Sequence, residues 1–405
     1  MTSAIVIGGG IAGCSTAYSL AQRGIAITLI ERHETLASEA SGNPLAMLYP
    51  KISIKPSIQS ALASQAYDFT INLLNSLPNH NDFFNACGQI QLAFNAAEQA
   101  KQNELFNIEY LHKNSWFCDF LNAEEASEKA GITLKTGGIF LKQAGWVNPR
   151  LLCAALCAHP NITLQTNNYA ASIESSANGW RVSFANGKME AAGFEANSVV
   201  ICNANDVKQF GFCNSAHITP VRGQVNFFAE NTTSQALNTI VCSDHFISPA
   251  VDGWHSFGTS YAPNDLNAAV SAQDTANNLA ALAKISPQIA ASIEAENLQA
   301  RVAWRSQTLD YMPMAGQLLD EEQLLKTPPR YNAQVTNLPW LQGLYINAGH
   351  GSKGMITAPL CGEIIACLVT NNTLPVAANL ASKLNPSRFL LRELGLKQLA
   401  NSLCA

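Results

Sequence analysis

Apolar and polar positions change period several times along the chain, and each change marks an element. Residues 4–7 read Ala-Ile-Val-Ile, a short unbroken apolar run such as a fully buried strand carries. Gly8-Gly9-Gly10-Ile11-Ala12-Gly13 interrupts it, residues 14–23 follow a helical pattern, and Gly24 ends that helix. Residues 25–30 form a second apolar strand closed by Glu31. The pattern returns twice. Val147-Asn148-Pro149-Arg150 leads into an apolar helix over 151–158, with strands expected over 162–164, 180–184 and 198–202. A further strand over 343–347 runs into the glycine loop Gly349-His350-Gly351-Ser352-Lys353-Gly354 and another helix. Strand-rich segments with turn signals, 218–228, 246–260 and 301–316, lie between the returns, and no repeat of fixed period occurs.

The first unit carries chemistry. Gly8, Gly10 and Gly13 have the spacing G-x-G-x-x-G, placed after a strand and at the opening of a helix. Gly8 permits the tight turn, Gly10 lets a pyrophosphate approach the backbone, and Gly13 lets the helix pack close to the strand. The helix N-terminus offers unpaired N–H groups and a positive dipole end to phosphates. Glu31 stands 18 residues after Gly13, at the end of the second strand, where a carboxylate accepts hydrogen bonds from ribose hydroxyls. An acid there disfavours a 2′-phosphate and with it NADP, while NAD and FAD both remain open.

Composition narrows the class. The 405 residues correspond to two or three structural units at about 150 residues each. With 47% hydrophobic and 13% charged residues, the chain builds a core rather than staying disordered. A net charge of -5 excludes a chain-wide basic coat for nucleic acid, though not a local patch. The eleven cysteines are odd in number and include no C-x-x-C pair, which fits a reduced protein and offers no zinc spacing, so no metal is expected. Cys153 and Cys157 read as helix packing. No leader precedes the first strand and no uncharged apolar run reaches about 18 residues, so a cytoplasmic chain without membrane contact is expected.

Regular βαβ repeats do not follow Glu31 as they would in an NAD dehydrogenase. A dinucleotide domain in three separated pieces, with an antiparallel sheet inserted between them, resembles the D-amino-acid oxidase superfamily, which includes glycine and sarcosine oxidases. The fingerprint, Gly137-Gly138 followed by Trp146-Val147-Asn148-Pro149, and the 349–354 loop carry this resemblance. It implies an α/β fold: a discontinuous FAD-binding Rossmann-like domain of the glutathione-reductase/D-amino-acid-oxidase type over 1–85, 145–205 and 335–400, and a mainly antiparallel substrate domain over 86–144 and 206–334. A narrower resemblance is to the oxidoreductase half of the bifunctional MnmC family. It rests on Ala40-Ser41-Gly42-Asn43 with Leu48-Tyr49-Pro50, on Val221-Arg222-Gly223-Gln224-Val225, on residues 310–316 and 358–364, and on Leu384-Asn385-Pro386-Ser387-Arg388. That family usually carries a methyltransferase domain ahead of this one. Here the fingerprint begins near residue 5, so a separate tRNA methyltransferase is an expected partner.

The resemblance implies a tRNA substrate whose wobble uridine carries 5-carboxymethylaminomethyl, in effect an N-substituted glycine. Oxidation of the carbon between amine and carboxylate gives an imine, and its hydrolysis leaves 5-aminomethyluridine and glyoxylate, with molecular oxygen as final acceptor. The alternative is an FAD oxidase or dehydrogenase of free glycine, sarcosine or D-amino acids. Arg305, in Arg305-Ser306-Gln307-Thr308-Leu309-Asp310, is the implied carboxylate anchor, the alternative being a pairing with Asp310 or a backbone carbonyl. Lys353 is the second catalytic candidate, placed to stabilise charge on the reduced flavin. The implied cofactor contacts are Gly8, Gly10, Ile11, Ala12, Gly13, Glu31, Arg32, Ser41, Gly42, Asn43, Gly349, His350, Gly351, Ser352, Lys353 and Gly354. His350 also reads as a buried, hydrogen-bonded residue, and Arg222 and Gln224 either shape the pocket or pack structurally. Residues 306–316 contain no cysteine, so non-covalent FAD is expected. Lys51, Lys55, Lys142, Arg150 and Arg388 are candidate phosphate contacts.

Overall fold

A computed structural model describes residues 2–50, 52–55, 57–107, 117–185, 193–330 and 332–403. β1 (Ser3–Ile7), α1 (Ile11–Ala21) and β2 (Ala26–Ile30) form the first unit, and β1 and β2 pair in parallel. The helix starts three residues earlier than its apolar pattern. Glycine and alanine at 10–13 read as loop in sequence, yet their small size is what the first turn needs. A Cβ on Gly13 would sit 1.8 Å from the Gly8 carbonyl oxygen.

The strands that continue this sheet come from distant parts of the chain. Its order is Met314–Leu319, Trp340–Ala348, Ser198–Ile201, β1, β2 and Ile162–Gln165. All neighbours are parallel except the edge strand Met314–Leu319, which is antiparallel to Trp340–Ala348. That edge strand falls within the stretch 206–334 expected to build the inserted sheet. The turn after Thr308, with Tyr311 at φ 60, takes the chain out of one sheet and into the other.

The second large sheet has nine strands and is mostly antiparallel, with Ile240–Cys242 and Gln89–Leu92 paired in parallel. Its longest ladder joins Ile218–Ala229 to Gln299–Thr308, in register from Ile218↔Thr308 to Phe227↔Gln299. Small residues set the helix layer. Gly362, in the helix Gly354–Thr370, brings that helix onto α1, where a Cβ would lie 2.9 Å from Ser15 carbon. The stretch Gly351–Thr370 is long and apolar enough to cross a membrane by length and composition. Here it is a core helix, with Ile356 to Gly362 and Ile364 to Cys367 buried against α1 and the helix Ile58–Ser76. The chain thus combines a largely parallel sheet flanked by helices with a second, mainly antiparallel sheet.

Candidate active site

Two cavities meet over the N-terminus of α1 and share Gly10, Ala40, Ser41, Cys202 and Ala204. Both lie at the C-terminal ends of the parallel strands, where open α/β sheets hold ligands. The first is lined by Gly8, Gly10, Glu31, Arg32, Ser41 and Asn203, among others. Gly8 has φ +111 and a Cβ there would lie 2.6 Å from the Cys202 carbonyl oxygen, so only glycine makes the turn. The Glu31 carboxylate is held on both oxygens: Oε2 accepts from Gly9 N–H at 2.6 Å and Oε1 from His33 N–H at 2.8 Å. It lines the cavity with its remaining lone pairs. Arg32 pairs with Glu39 and with Asp206 at 2.9 Å.

The N-cap of α1 is Gly10, which has no side chain to cap the first turn. Ser41 Oγ reaches in from the following loop and accepts the Ile11 N–H at 3.0 Å. The other first-turn N–H groups have no acceptor within the helix. Asn203 Oδ1, also on the wall, is buried without a hydrogen bond among the described residues. A glycine cradle and a helix start with N–H groups left over beyond the one Ser41 takes fit phosphates, and an unsatisfied buried acceptor fits a hydroxyl donor, so together they suit an extended dinucleotide.

The second cavity, about 990 Å³, is lined by Ile11, Ala12, Ser41, Asn43, Gly349, His350, Gly351, Ser352 and Gly354, and on its far side by Gly223, Thr259, Arg305 and Ser306. Arg305 Nη2 donates to Thr259 Oγ1 at 2.8 Å and Nη1 to the Ser260 carbonyl at 3.3 Å. No described carboxylate pairs with it; Asp310 is taken by Arg388 at 2.9 Å and Arg392 at 3.4 Å. Burial pushes the Arg305 guanidinium pKa down from its ordinary value. A half-buried cation without a carboxylate partner among the described residues sits in an electrostatic environment that an anionic ligand would relieve. Ser306, the next residue along the strand, has its Oγ buried without a hydrogen bond among the described residues.

The remaining candidates separate into groups. Gly13 and Gly42 line neither cavity: Gly13 packs against Gly8, and Gly42 leaves room for Arg301, whose Nη2 lies 2.5 Å from where a Cβ would be. His350 lines the second cavity while its ring nitrogens meet Thr357 Oγ1 at 2.9 Å and Asn347 Oδ1 at 3.0 Å, and burial pushes its pKa down to about 3. Lys353 does not join Arg305; the turn Gly351–Lys353 directs it to a neighbouring cleft with Tyr49 and Lys55. Arg222 and Gln224 pack structurally. Arg222 donates to the Asn267 and Ala269 carbonyls, both at 2.7 Å, and pairs with Asp274, while Gln224 bonds Ser271 and Thr275. Arg388 is fully buried on Asp310, which removes it from the candidate phosphate contacts. Lys142 pairs with Asp119 at 2.9 Å, and Lys51 lies outside the described residues.

Sequence reasoning missed Asn203, Thr259 and Arg301. Asn203 follows a parallel strand, so the strand-end rule is a signal that finds it. Arg301 donates to Asn43 Oδ1 at 2.7 Å and to the Ser38 and Glu39 carbonyls, clamping the loop that carries Ser41.

Residues 3–368 match the family model described as FAD dependent oxidoreductase. The chain is 36% identical over 405 residues to the "tRNA 5-methylaminomethyl-2-thiouridine biosynthesis bifunctional protein MnmC" of Methylobacillus flagellatus, covering 99% of this chain and 61% of that one. It is 37% identical over 401 residues to the protein of the same name from Pseudomonas fluorescens, covering 96% and 60%. The chain thus spans about three fifths of the length of these relatives. Among solved structures, glycine oxidase from Geobacillus kaustophilus superposes with a TM-score of 0.75 at 22% identity, covering 96% of this chain and 99% of that one. L-proline dehydrogenase from P. horikoshii gives 0.74 at 19% identity, covering 97% and 98%. The glycine cradle at the strand ends, the second sheet facing it and a family match across most of the chain lead to one assignment: the chain belongs to the DAO family of FAD dependent oxidoreductases.

Proposed function

We propose that this chain oxidatively removes the carboxymethyl group from 5-carboxymethylaminomethyluridine at the tRNA wobble position, releasing glyoxylate and leaving 5-aminomethyluridine. The observation that carries the reading is Arg305: a guanidinium without a carboxylate partner among the described residues, in a cavity bounded opposite by the 349–354 loop. The whole-length similarity to proteins named for 5-methylaminomethyl-2-thiouridine biosynthesis in tRNA supports a nucleoside-borne amine over a free amino acid.

In this reading Gly8, Gly10, Glu31, Arg32 and the first turn of α1 would hold the adenosine and pyrophosphate portions of non-covalent FAD. Ser41, Asn43, Gly349, His350, Gly351, Ser352 and Gly354 would hold its flavin portion. Bound FAD supplies a two-electron oxidant for the carbon between amine and carboxylate. Arg305 binds the acetate arm through paired N–H groups and so orients that carbon. Water adds to the resulting imine and splits its C–N bond, giving the primary amine and the aldehyde of glyoxylate. The two electrons and accompanying protons leave with molecular oxygen as hydrogen peroxide. The reaction belongs to the cytoplasm, where tRNA is modified, and methylation of the new amine belongs to a separate methyltransferase site.

The test is anaerobic mixing of the flavin-loaded protein with tRNA bearing the carboxymethylaminomethyl group. Bleaching of the flavin absorbance with stoichiometric glyoxylate supports the reading. Reduction by free glycine, sarcosine or a D-amino acid, with no response to the tRNA, overturns it in favour of a small-substrate oxidase.

A further inference from the structure

A cleft of about 1490 Å³ adjoins the Arg305 cavity across the 351–354 loop. Gly351, Ser352 and Gly354 line the cavity, and Lys353 lines the cleft. The two are also joined by the chain segment that takes Ala46 from the cavity wall to Tyr49 on the cleft wall. Gln89 and Gln91 lie directly opposite Leu141 and Ile139 in antiparallel register. A strand period of two puts all four on one face, and all four line the cleft. Its walls are the loop at Tyr49, Ile52 and Lys55 and the helix Ala96–Phe106, with Glu98, Lys101, Glu104 and Leu105.

Three features of this cleft point to one class of ligand. Phe94, 37% exposed, offers an aromatic face. Gln89, on the cleft wall, is 1% exposed, and its Oε1 is buried without a hydrogen bond among the described residues, an acceptor left without a donor. Lys55, Lys101 and Lys353 outnumber Glu98 and Glu104 on a chain whose net charge is -5, and Glu98 is bonded to Lys101. Stacking face, amide acceptor and cations are the elements with which single-stranded nucleic acid is held.

We propose that this cleft binds a nucleotide of the anticodon loop next to the wobble uridine, with its base on Phe94 and Gln89 and its phosphates toward Lys55 and Lys353. The inference rests on the tRNA reading above and adds the site that distinguishes a tRNA-borne substrate from a free amine.

The experiment uses flavin-loaded protein and a fluorescent anticodon stem-loop with the modified wobble uridine. Anisotropy is measured for wild type, Phe94→Ala, Lys55→Glu and Gln89→Met, and turnover of the full tRNA is measured in parallel. Phe94→Ala weakens binding about tenfold. Lys55→Glu weakens it and lowers the slope of log affinity against log salt by about one. Gln89→Met weakens it at constant salt slope, because it removes an acceptor and no charge. In each variant the flavin absorbance and thermal midpoint stay at wild-type values. Wild-type turnover of tRNA with all three variants binding within twofold of wild type overturns the cleft and leaves the tRNA reading standing. Absence of wild-type turnover or binding overturns both.

Discussion

Removing the Arg305 fork gives the sharpest test of how the substrate is held. A guanidinium has five N–H donors. Thr259 Oγ1 at 2.8 Å and the Ser260 carbonyl at 3.3 Å engage one on each Nη, which leaves three for a ligand. A carboxylate takes two of them in parallel. Each such charge-assisted bond contributes about 1.5–3 kcal/mol net. Arg305→Lys keeps the charge and loses one bond, so it costs about 2 kcal/mol, or about 30-fold in KM. Arg305→Met loses both bonds and the charge, costing about 4 kcal/mol, or about 1000-fold. The acetate is bound in both ground and transition states, so KM carries most of the change and kcat less.

A second perturbation moves the same group without altering it. An ideal Cβ on Gly223 would lie 2.4 Å from Arg305 Nη1 and 2.6 Å from Cζ. Gly223 does not occupy the left-handed region, so alanine keeps the backbone and displaces the guanidinium instead. Gly223→Ala therefore raises KM in the same direction as Arg305→Lys, and the double variant Gly223→Ala/Arg305→Met is no worse than Arg305→Met alone. The assay is initial glyoxylate release against tRNA concentration, with bound flavin measured by absorbance in each variant. A KM for Arg305→Met within threefold of wild type, at full flavin content, refutes the role.

Three further outcomes follow from the geometry. Ser41→Ala removes the acceptor of the Ile11 N–H, loosens the start of α1 at a cost of about 1 kcal/mol and raises the FAD dissociation constant about fivefold, read from fluorescence of released flavin; an unchanged constant refutes it. His350 is neutral in the folded protein and its pKa is lowered to about 3, so the unfolded chain binds the extra proton between about pH 6.5 and 3. Its stabilising contribution is full above about pH 6.5 and is lost, at no more than about 1.4 kcal/mol per pH unit, as pH falls toward 3; urea unfolding at pH 7.5 and 5 should show a smaller difference in His350→Asn than in wild type, and an equal one refutes the assignment. Arg222→Met strands Asp274 and the Asn267 and Ala269 carbonyls, lowering stability by about 3–5 kcal/mol in denaturant unfolding while KM stays constant; a raised KM at unchanged stability would return Arg222 to the substrate site.

The centre of the parallel sheet was legible because β1 and Ser198–Ile201 are mostly apolar runs and the turn after β1 needs glycine. Where one sheet hands over to the other was not. Met314–Leu319 carries strand signals that suit either sheet, and only the turn at Leu309 to Met312 decides which sheet receives it. Arg305 and the glycine loop that starts at Gly349 stand in dense local motifs that the family resemblance singled out, and the structure sets them along one cavity. Lys353 stands in the same motif, yet a short turn sends it into the next cleft, and one-dimensional spacing does not encode that direction. Arg222, Gln224 and Arg388 show the opposite limit. Charged and amide residues on strands and helices read as surface or pocket groups, while here each is buried on partners that are far away in sequence, from Asp310 for Arg388 to Asp274 for Arg222.

The strand Gln299–Thr308 explains why the two cavities keep one spacing. Arg301, Ala303 and Arg305 alternate onto one face of it. Arg301 clamps the loop from Ser38 to Asn43, whose Ser41 in turn caps α1, and Arg305 stands four residues further on, about 13 Å at strand rise. Ten consecutive register pairs with Ile218–Ala229 stiffen this span. The position of the Ser38–Asn43 loop and that of Arg305 are therefore set by one rigid element of the second sheet, and their separation does not depend on how the loops around them move. A site that oxidises a carbon held between an anchored carboxylate and an anchored cofactor needs that separation fixed before the substrate arrives, because any slack is lost orientation in the reacting geometry.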